Sequence, residues 1–180
     1  SENTNFIPTY QSVSSLAVVG SLVSDDYFGL LDSDEGQWAS GIEYVDIGIG
    51  RFPVKTTEEA DNIVQKVLNY NTTLTMKDWR NEISFIGDDE DGNTHMSQSN
   101  ILSTLVEVNY PEYNEDKIFF DAYKQESTPG GNRYPDVNQA ITDAFEEGAL
   151  IVNYTGHGGE TGLGHEHVLT INEINDFDNL

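Results

Sequence analysis

A chain of 180 residues with 32 acidic and 8 basic side chains carries a formal charge of −24, which repels phosphate and so excludes nucleic acid and anionic membrane surfaces as partners while favouring cations. With 37% hydrophobic and 11% aromatic residues it can bury a core, so the charge belongs to the surface of a folded chain whose length suits one domain. There is no cysteine, hence no disulfide and no thiolate metal site within this segment, and no apolar stretch nears the roughly 20 residues that span a bilayer.

Residues 1–24 are polar and serine-rich around one apolar run, Leu16-Ala17-Val18-Val19, and predict a loosely organised opening segment. Residues 24–36, SDDYFGLLDSDEG, set two acidic clusters around an aromatic-apolar centre, the pattern of a loop over a sheet edge. Residues 44–54, YVDIGIGRFPV, alternate and are rich in β-branched side chains, predicting a strand that ends at Pro53. Thr56 and Glu59 stand at capping-box spacing. Ala60, Ile63, Val64, Val67 and Leu68 then recur at i, i+3, i+4, i+7 and i+8, the apolar stripe of an amphipathic helix. A strand over 82–87 runs into the acidic turn 88–92, and a helix over 97–108 is expected to turn Ile101, Leu102, Leu105 and Val106 inward. A short strand follows over 118–122, then a Pro- and Gly-rich loop over 125–135. A third helix places Val137, Ala140, Ile141, Ala144 and Phe145 on one face and stops before Gly148. A strand over 149–154 delivers a glycine-rich loop, and 170–178 predict a last short helix. Strands alternating with helices predict an α/β fold, a parallel sheet flanked by helices, in which functional groups sit beyond the C-terminal ends of strands.

Two such ends carry chemistry. Asn153-Tyr154-Thr155-Gly156-His157-Gly158-Gly159 holds a histidine at the apex of a glycine-hinged turn. Glycine on either side offers the backbone positive φ and close approach to a ligand. As a general acid or base His157 needs a nucleophile and an orienting carboxylate. Asp88, first residue beyond its own strand, can supply that carboxylate, hydrogen-bonding the imidazole and fixing its tautomer. His165 and His167 lie close by in sequence, so a zinc centre built from them with His157 or Glu166 is an alternative, although the spacing is not H-E-x-x-H. Asp89, Asp91 and Gly92 fill three places of a calcium loop whose first and last ligands are missing; an irregular calcium site using Asp89 and Asp91, or Asp25 and Asp26, stays open. No phosphate-binding glycine loop and no G-x-S-x-G elbow is present.

The string NYTGHGGET over 153–161 closely resembles the histidine loop of the gingipain-like cysteine peptidases, family C25. IGRF at 49–52, the helix after it, KDW at 77–79 and the strand entering Asp88 occur in the same order. SDDYFGLLD, GDDEDGNTHM and GHGGE together look most like the branch that works in type IX secretion as a sortase and C-terminal signal peptidase. The resemblance implies a caspase-like fold. It makes His157 the catalytic histidine, Asp88 the acidic third member and Gly158 a backbone donor to the oxyanion hole. It also places His95 near the substrate-recognition position that carries aspartate in arginine-specific members. It implies protein substrates with C-terminal secretion signals, other secretion-system components as partners, and a cell-surface location on the extracellular side of the outer membrane. No cofactor is needed for the chemistry, and calcium would be structural. Because the family's nucleophile is a cysteine and none is present, residues 1–180 are expected to be a partial peptidase domain. Its first strand and nucleophile-bearing strand would lie outside the chain, and it would be inactive alone. A catalytically silent, acidic calcium-binding module of the same fold is the alternative.

Overall fold

The computed structural model describes residues 8–11, 23–36, 43–73 and 75–177. The apolar run at 16–19 and the last residue of the helix expected over 170–178 lie outside them. The chain divides into two compact units, Ser1–Thr75 and Met76–Leu180.

In the first unit, Tyr10–Gln11 pairs antiparallel with Val23–Ser24, and a 3₁₀ turn covers Asp26–Gly29. Helix α1 spans Thr57–Asn69. Its capping box forms as expected: the Thr56 hydroxyl accepts the Glu59 N–H while the Glu59 carboxylate accepts the Thr56 N–H. Of its apolar stripe, Val64, Val67 and Leu68 are exposed. The strand expected over 44–54 does not form. Over 44–54 there are only bends and irregular backbone, with Asp46 N–H donating to the Gly29 carbonyl. Alternation marks a strand only where a neighbour takes up the ladder hydrogen bonds, and no such neighbour pairs with it among the described residues.

The second unit is built on a parallel sheet. Strand β1 (Glu82–Gly87) lies between β2 (Asn114–Phe119) and β3 (Ile151–Thr155). Helix α2 (Glu90–Asn109) connects β1 to β2, and α3 (Pro135–Glu147) precedes β3. Both β1 pairings are parallel, with Gly87 opposite Phe119 on one side and Thr155 on the other. The C-termini of β1 and β3 therefore end side by side. Ile86, Ile118, Phe120, Val137, Ile141 and Val168 are almost fully buried and form one core between the sheet and α3. Each such apolar side chain contributes about 1.5–3 kcal/mol on burial. Val137 and Ile141 are the two fully buried positions of the α3 stripe, and Ala140, Ala144 and Phe145 pack around them, as the spacing predicts.

Three expectations in this unit need correction. Helix α2 is longer than the expected 97–108 and presents a different face: Met96, Ser99 and Ser103 are buried, whereas Ile101, Leu102 and Leu105 are exposed and Val106 is half-buried. The helix approaches too closely for bulky side chains. A Cβ on Gly87 would stand 2.9 Å from the Met96 Cα, so small serines occupy the contact, with Ser99 donating to the Ile86 carbonyl and Ser103 to Glu115. The strand placed at 118–122 starts four residues earlier, at Asn114, and 120–122 is a 3₁₀ turn. An edge strand among the described residues, β2 exposes Asn114, Asp116 and Lys117 and turns Glu115 toward Ser103, a polar run that hides it from an apolar pattern. The loop at 125–135 contains a hairpin, Glu126–Thr128 with Gly131–Arg133, and its Pro135 already begins α3.

Candidate active site

The acidic turn opens the site. Asp88 follows β1 directly and donates its N–H to the Thr155 carbonyl at 3.1 Å, extending the β1–β3 ladder by one bond. Its side chain is fully buried. One carboxylate oxygen accepts the Glu90 N–H at 2.9 Å; the other accepts the His157 N–H at 2.9 Å and lies 3.3 Å from the Tyr154 hydroxyl. Burial pushes the Asp88 carboxyl up, but the N–H groups of Glu90 and His157, the Tyr154 hydroxyl and the neighbouring imidazole together outweigh it and hold it below the ordinary carboxylate range.

Asp88 thus grips the histidine by its main chain. The His157 Nδ1 is 3.6 Å from the same carboxylate, too far for a hydrogen bond, and this buried nitrogen has no hydrogen-bond partner. The His157 carbonyl is fixed as well, accepting from the Tyr154 hydroxyl at 2.6 Å and the Gly164 N–H at 2.9 Å. Three hydrogen bonds fix the main chain of His157, and none joins the Asp88 carboxylate to its imidazole.

Glycine at 156 is demanded by space. Neither Gly156 nor Gly158 takes positive φ, contrary to the expectation from the sequence. A Cβ at Gly156 would lie 2.4 Å from the Asp88 Cβ and 2.6 Å from the Tyr154 hydroxyl oxygen. Beyond the histidine the chain folds into a small antiparallel meander, Gly158–Gly159 with Gly162–Leu163 and then Leu169–Thr170. A cleft of about 170 Å³ opens there, lined by His157, Gly158, Thr161, His165 and His167 among others.

The remaining candidates distribute as follows. His95, on α2, sets its ring edge-on to that of His157, with centroids 4.9 Å apart. His165 stacks on the His157 ring at 5.4 Å and pairs its Nδ1 with Glu90 at 3.2 Å; that partner, with the nearby Glu166 and Asp88, raises its pKa above the ordinary histidine value. The zinc set expected from His165 and His167 does not converge among the described residues; the group able to surround an ion is Asp91, His95 and His157. Asp89 accepts the Tyr134 hydroxyl at 2.6 Å through one oxygen, and its other oxygen is buried without a hydrogen-bond partner. Asp25 gives both oxygens to Arg51, at 2.7 and 2.6 Å, so a calcium ion there would have to displace that pairing. Asp26 is exposed at the start of the 3₁₀ turn. Sequence reasoning missed Tyr154 as the group that holds the His157 carbonyl; a tyrosine in β3, three residues before the loop histidine, was the available signal.

Glu166 adds a charged group with no adequate partner. It is 5% exposed, accepts one bond from Gln125 at 3.3 Å, and keeps its other oxygen buried without a partner. Burial pushes its carboxyl up, its own N–H opposes this, and Asp89, Asp88 and Glu90 reinforce the rise. A folded-state pKa above the unfolded value means that ionisation of Glu166 costs stability as pH rises through and beyond the ordinary carboxylate range. Glu166→Gln should therefore gain about 1 kcal/mol over wild type at pH 8 and nothing near pH 4. Urea midpoints at the two pH values check this; a variant no more stable at pH 8 than wild type contradicts it.

The site thus sets a histidine on a clamped loop beyond one parallel strand and a buried carboxylate beyond the next. The family model for peptidase family C25 matches residues 1–180, and the chain belongs to that family. Among curated proteins it is similar to gingipain R2 and gingipain R1 of Porphyromonas gingivalis, each 28% identical over 143 residues that cover 76% of this chain. It spans 18% of the length of the former and 13% of the latter. No solved structure gives a significant match. No helix among the described residues is long and apolar enough to cross a membrane.

Proposed function

We propose that this chain is the histidine-bearing part of a cysteine endopeptidase that removes C-terminal secretion signals from exported proteins at the cell surface, in company with other secretion-system components. The observation that carries the reading is His157 held beyond β3 by Asp88 beyond β1, in a chain of a cysteine-peptidase family. The edge of β3 away from β1 has no partner strand among the described residues. A nucleophile-bearing strand added there would bring its C-terminal end beside His157. A cysteine thiolate attacks the scissile carbonyl carbon, and the oxyanion is stabilised by backbone N–H groups including that of Gly158. His157 protonates the leaving amine, the C–N bond breaks, and a thioester remains. Attack on the thioester then breaks the C–S bond and returns the thiol: water leaves a free carboxyl terminus, whereas an amine or hydroxyl of a surface glycolipid takes the acyl group as an amide or ester. His95 stands against His157, where the arginine-specific members of the family carry aspartate, so a basic P1 residue is not the expected preference.

Incubating the full-length protein with a secreted substrate bearing its C-terminal signal, and reading the products by mass spectrometry, should show a single cut ahead of the signal. His157→Ala should slow that cut by about 10²–10⁴-fold. The competing reading is a catalytically silent, acidic calcium-binding module of the same fold. The buried, unpartnered oxygen of Asp89 favours a cation in that turn. An intact substrate together with a calcium-dependent rise in melting temperature would select this second reading.

A further inference from the structure

The left-handed turn that opens α2 places a third group against the two facing imidazoles. Asp91, Gly92 and Asn93 take φ of 54°, 62° and 66°, and four residues after Asp91 the helix presents His95. One Asp91 oxygen lies 3.4 Å from His95 Nε2 and 3.4 Å from His157 Nε2. One ligand atom from each of the three residues lies within 4.8 Å of the others. A tetrahedral ion with metal–nitrogen and metal–oxygen bonds of about 2.0–2.2 Å separates its ligands by roughly 3.3–3.6 Å. The two Asp91 distances already match that edge. His95 Nε2 is buried and has no hydrogen-bond partner, so its lone pair, in the neutral tautomer, is unused where an ion would sit. The side chains of Asp91 and His157 are reachable from solvent, and the strongly negative chain attracts cations.

We propose that Asp91, His95 and His157 form a chelating site for a zinc-class divalent transition ion, and that occupying it blocks the enzyme. Two imidazoles and one carboxylate suit zinc, cobalt or nickel rather than calcium or magnesium, which take oxygen ligands. The bound ion holds the His157 lone pair that proton transfer requires, so metal binding and catalysis exclude each other. This second half rests on the peptidase reading; the first half does not. The set does not include His167, although both His157 and His167 line the cleft beyond the loop.

The test uses the full-length protein stripped with EDTA and titrated with Co²⁺ and Zn²⁺. Intense visible bands of tetrahedral Co²⁺ at one equivalent, displaced by Zn²⁺, are expected in wild type and in His167→Ala. His95→Ala and Asp91→Asn should each weaken binding by more than the roughly 10–100-fold that loss of an outer-shell partner costs. No bands, or bands indifferent to His95 and Asp91, overturn the site. In the activity arm, Zn²⁺ should inhibit metal-free wild type, and His95→Gln should need at least tenfold more Zn²⁺ for the same fractional inhibition of its own metal-free rate. Cobalt bands with no inhibition overturn the blocking role while leaving the site. Absence of metal-free activity counts against the peptidase reading alone.

Discussion

Gly156→Ala should cost at least about 3 kcal/mol and abolish any activity that depends on His157. The added methyl would sit 2.4 Å from the Asp88 Cβ and 2.6 Å from the Tyr154 oxygen, and neither neighbour can withdraw. Asp88 is fully buried and held by two backbone N–H groups, and the Tyr154 hydroxyl is committed to the His157 carbonyl. Overpacking a well-filled site typically costs 1–3 kcal/mol, and more where backbone must move; here relief requires the ends of β1 and β3 to separate. Gly159→Ala is the matched control. A Cβ there meets nothing within 4 Å, so its urea midpoint should stay within about 0.5 kcal/mol of wild type. Equal midpoints for the two variants would show that the close approach at Gly156 is not what fixes the loop.

The second large effect is at Asp88. Asp88→Ala leaves the part-buried Glu90 and His157 N–H groups without their acceptor. Each abandoned donor costs about 1–3 kcal/mol, giving an expected loss of about 3 kcal/mol or more at pH 7. The pH dependence separates this from a simple packing defect. The carboxyl of Asp88 is held below its ordinary range despite burial, because its hydrogen bonds favour the ionised form. A group depressed in the folded state contributes its full stability above the unfolded pKa, about 3.9, and loses it as pH falls through the folded value. The gap between wild type and Asp88→Ala should therefore be widest above pH 5 and narrow toward pH 2. A gap independent of pH would mean that the carboxylate charge is not what the site uses.

These two residues also show where sequence is legible. The loop was conspicuous because glycines crowd one histidine at the end of an apolar run, and Asp88 because a charged residue follows a strand that must be buried on both faces. Their proximity followed from parallel strands ending together. The mode of contact did not: a backbone N–H at 2.9 Å and an imidazole nitrogen at 3.6 Å leave the same trace in sequence. Helices α1 and α3 were readable because a capping box or an i, i+3, i+4 stripe is local chemistry. Helix α2 was readable only in part, since its contact face is chosen by how closely it approaches Gly87, a tertiary fact. The run at 44–54 carried strand chemistry, and strand formation depends on partners that local pattern does not specify. The convergence of Asp91 with His95 and His157 was equally hidden, because it depends on three consecutive left-handed residues, only one of them glycine.

The central claim is that His157 serves a cysteine thiolate. Its most direct test is the rate of alkylation against pH for the full-length protein in EDTA, alongside its His157→Ala variant. The account predicts one fast-reacting thiol with an apparent pKa well below the ordinary value of about 8.5, rising when His157 is removed. A thiol that titrates normally, or one indifferent to His157, would contradict it.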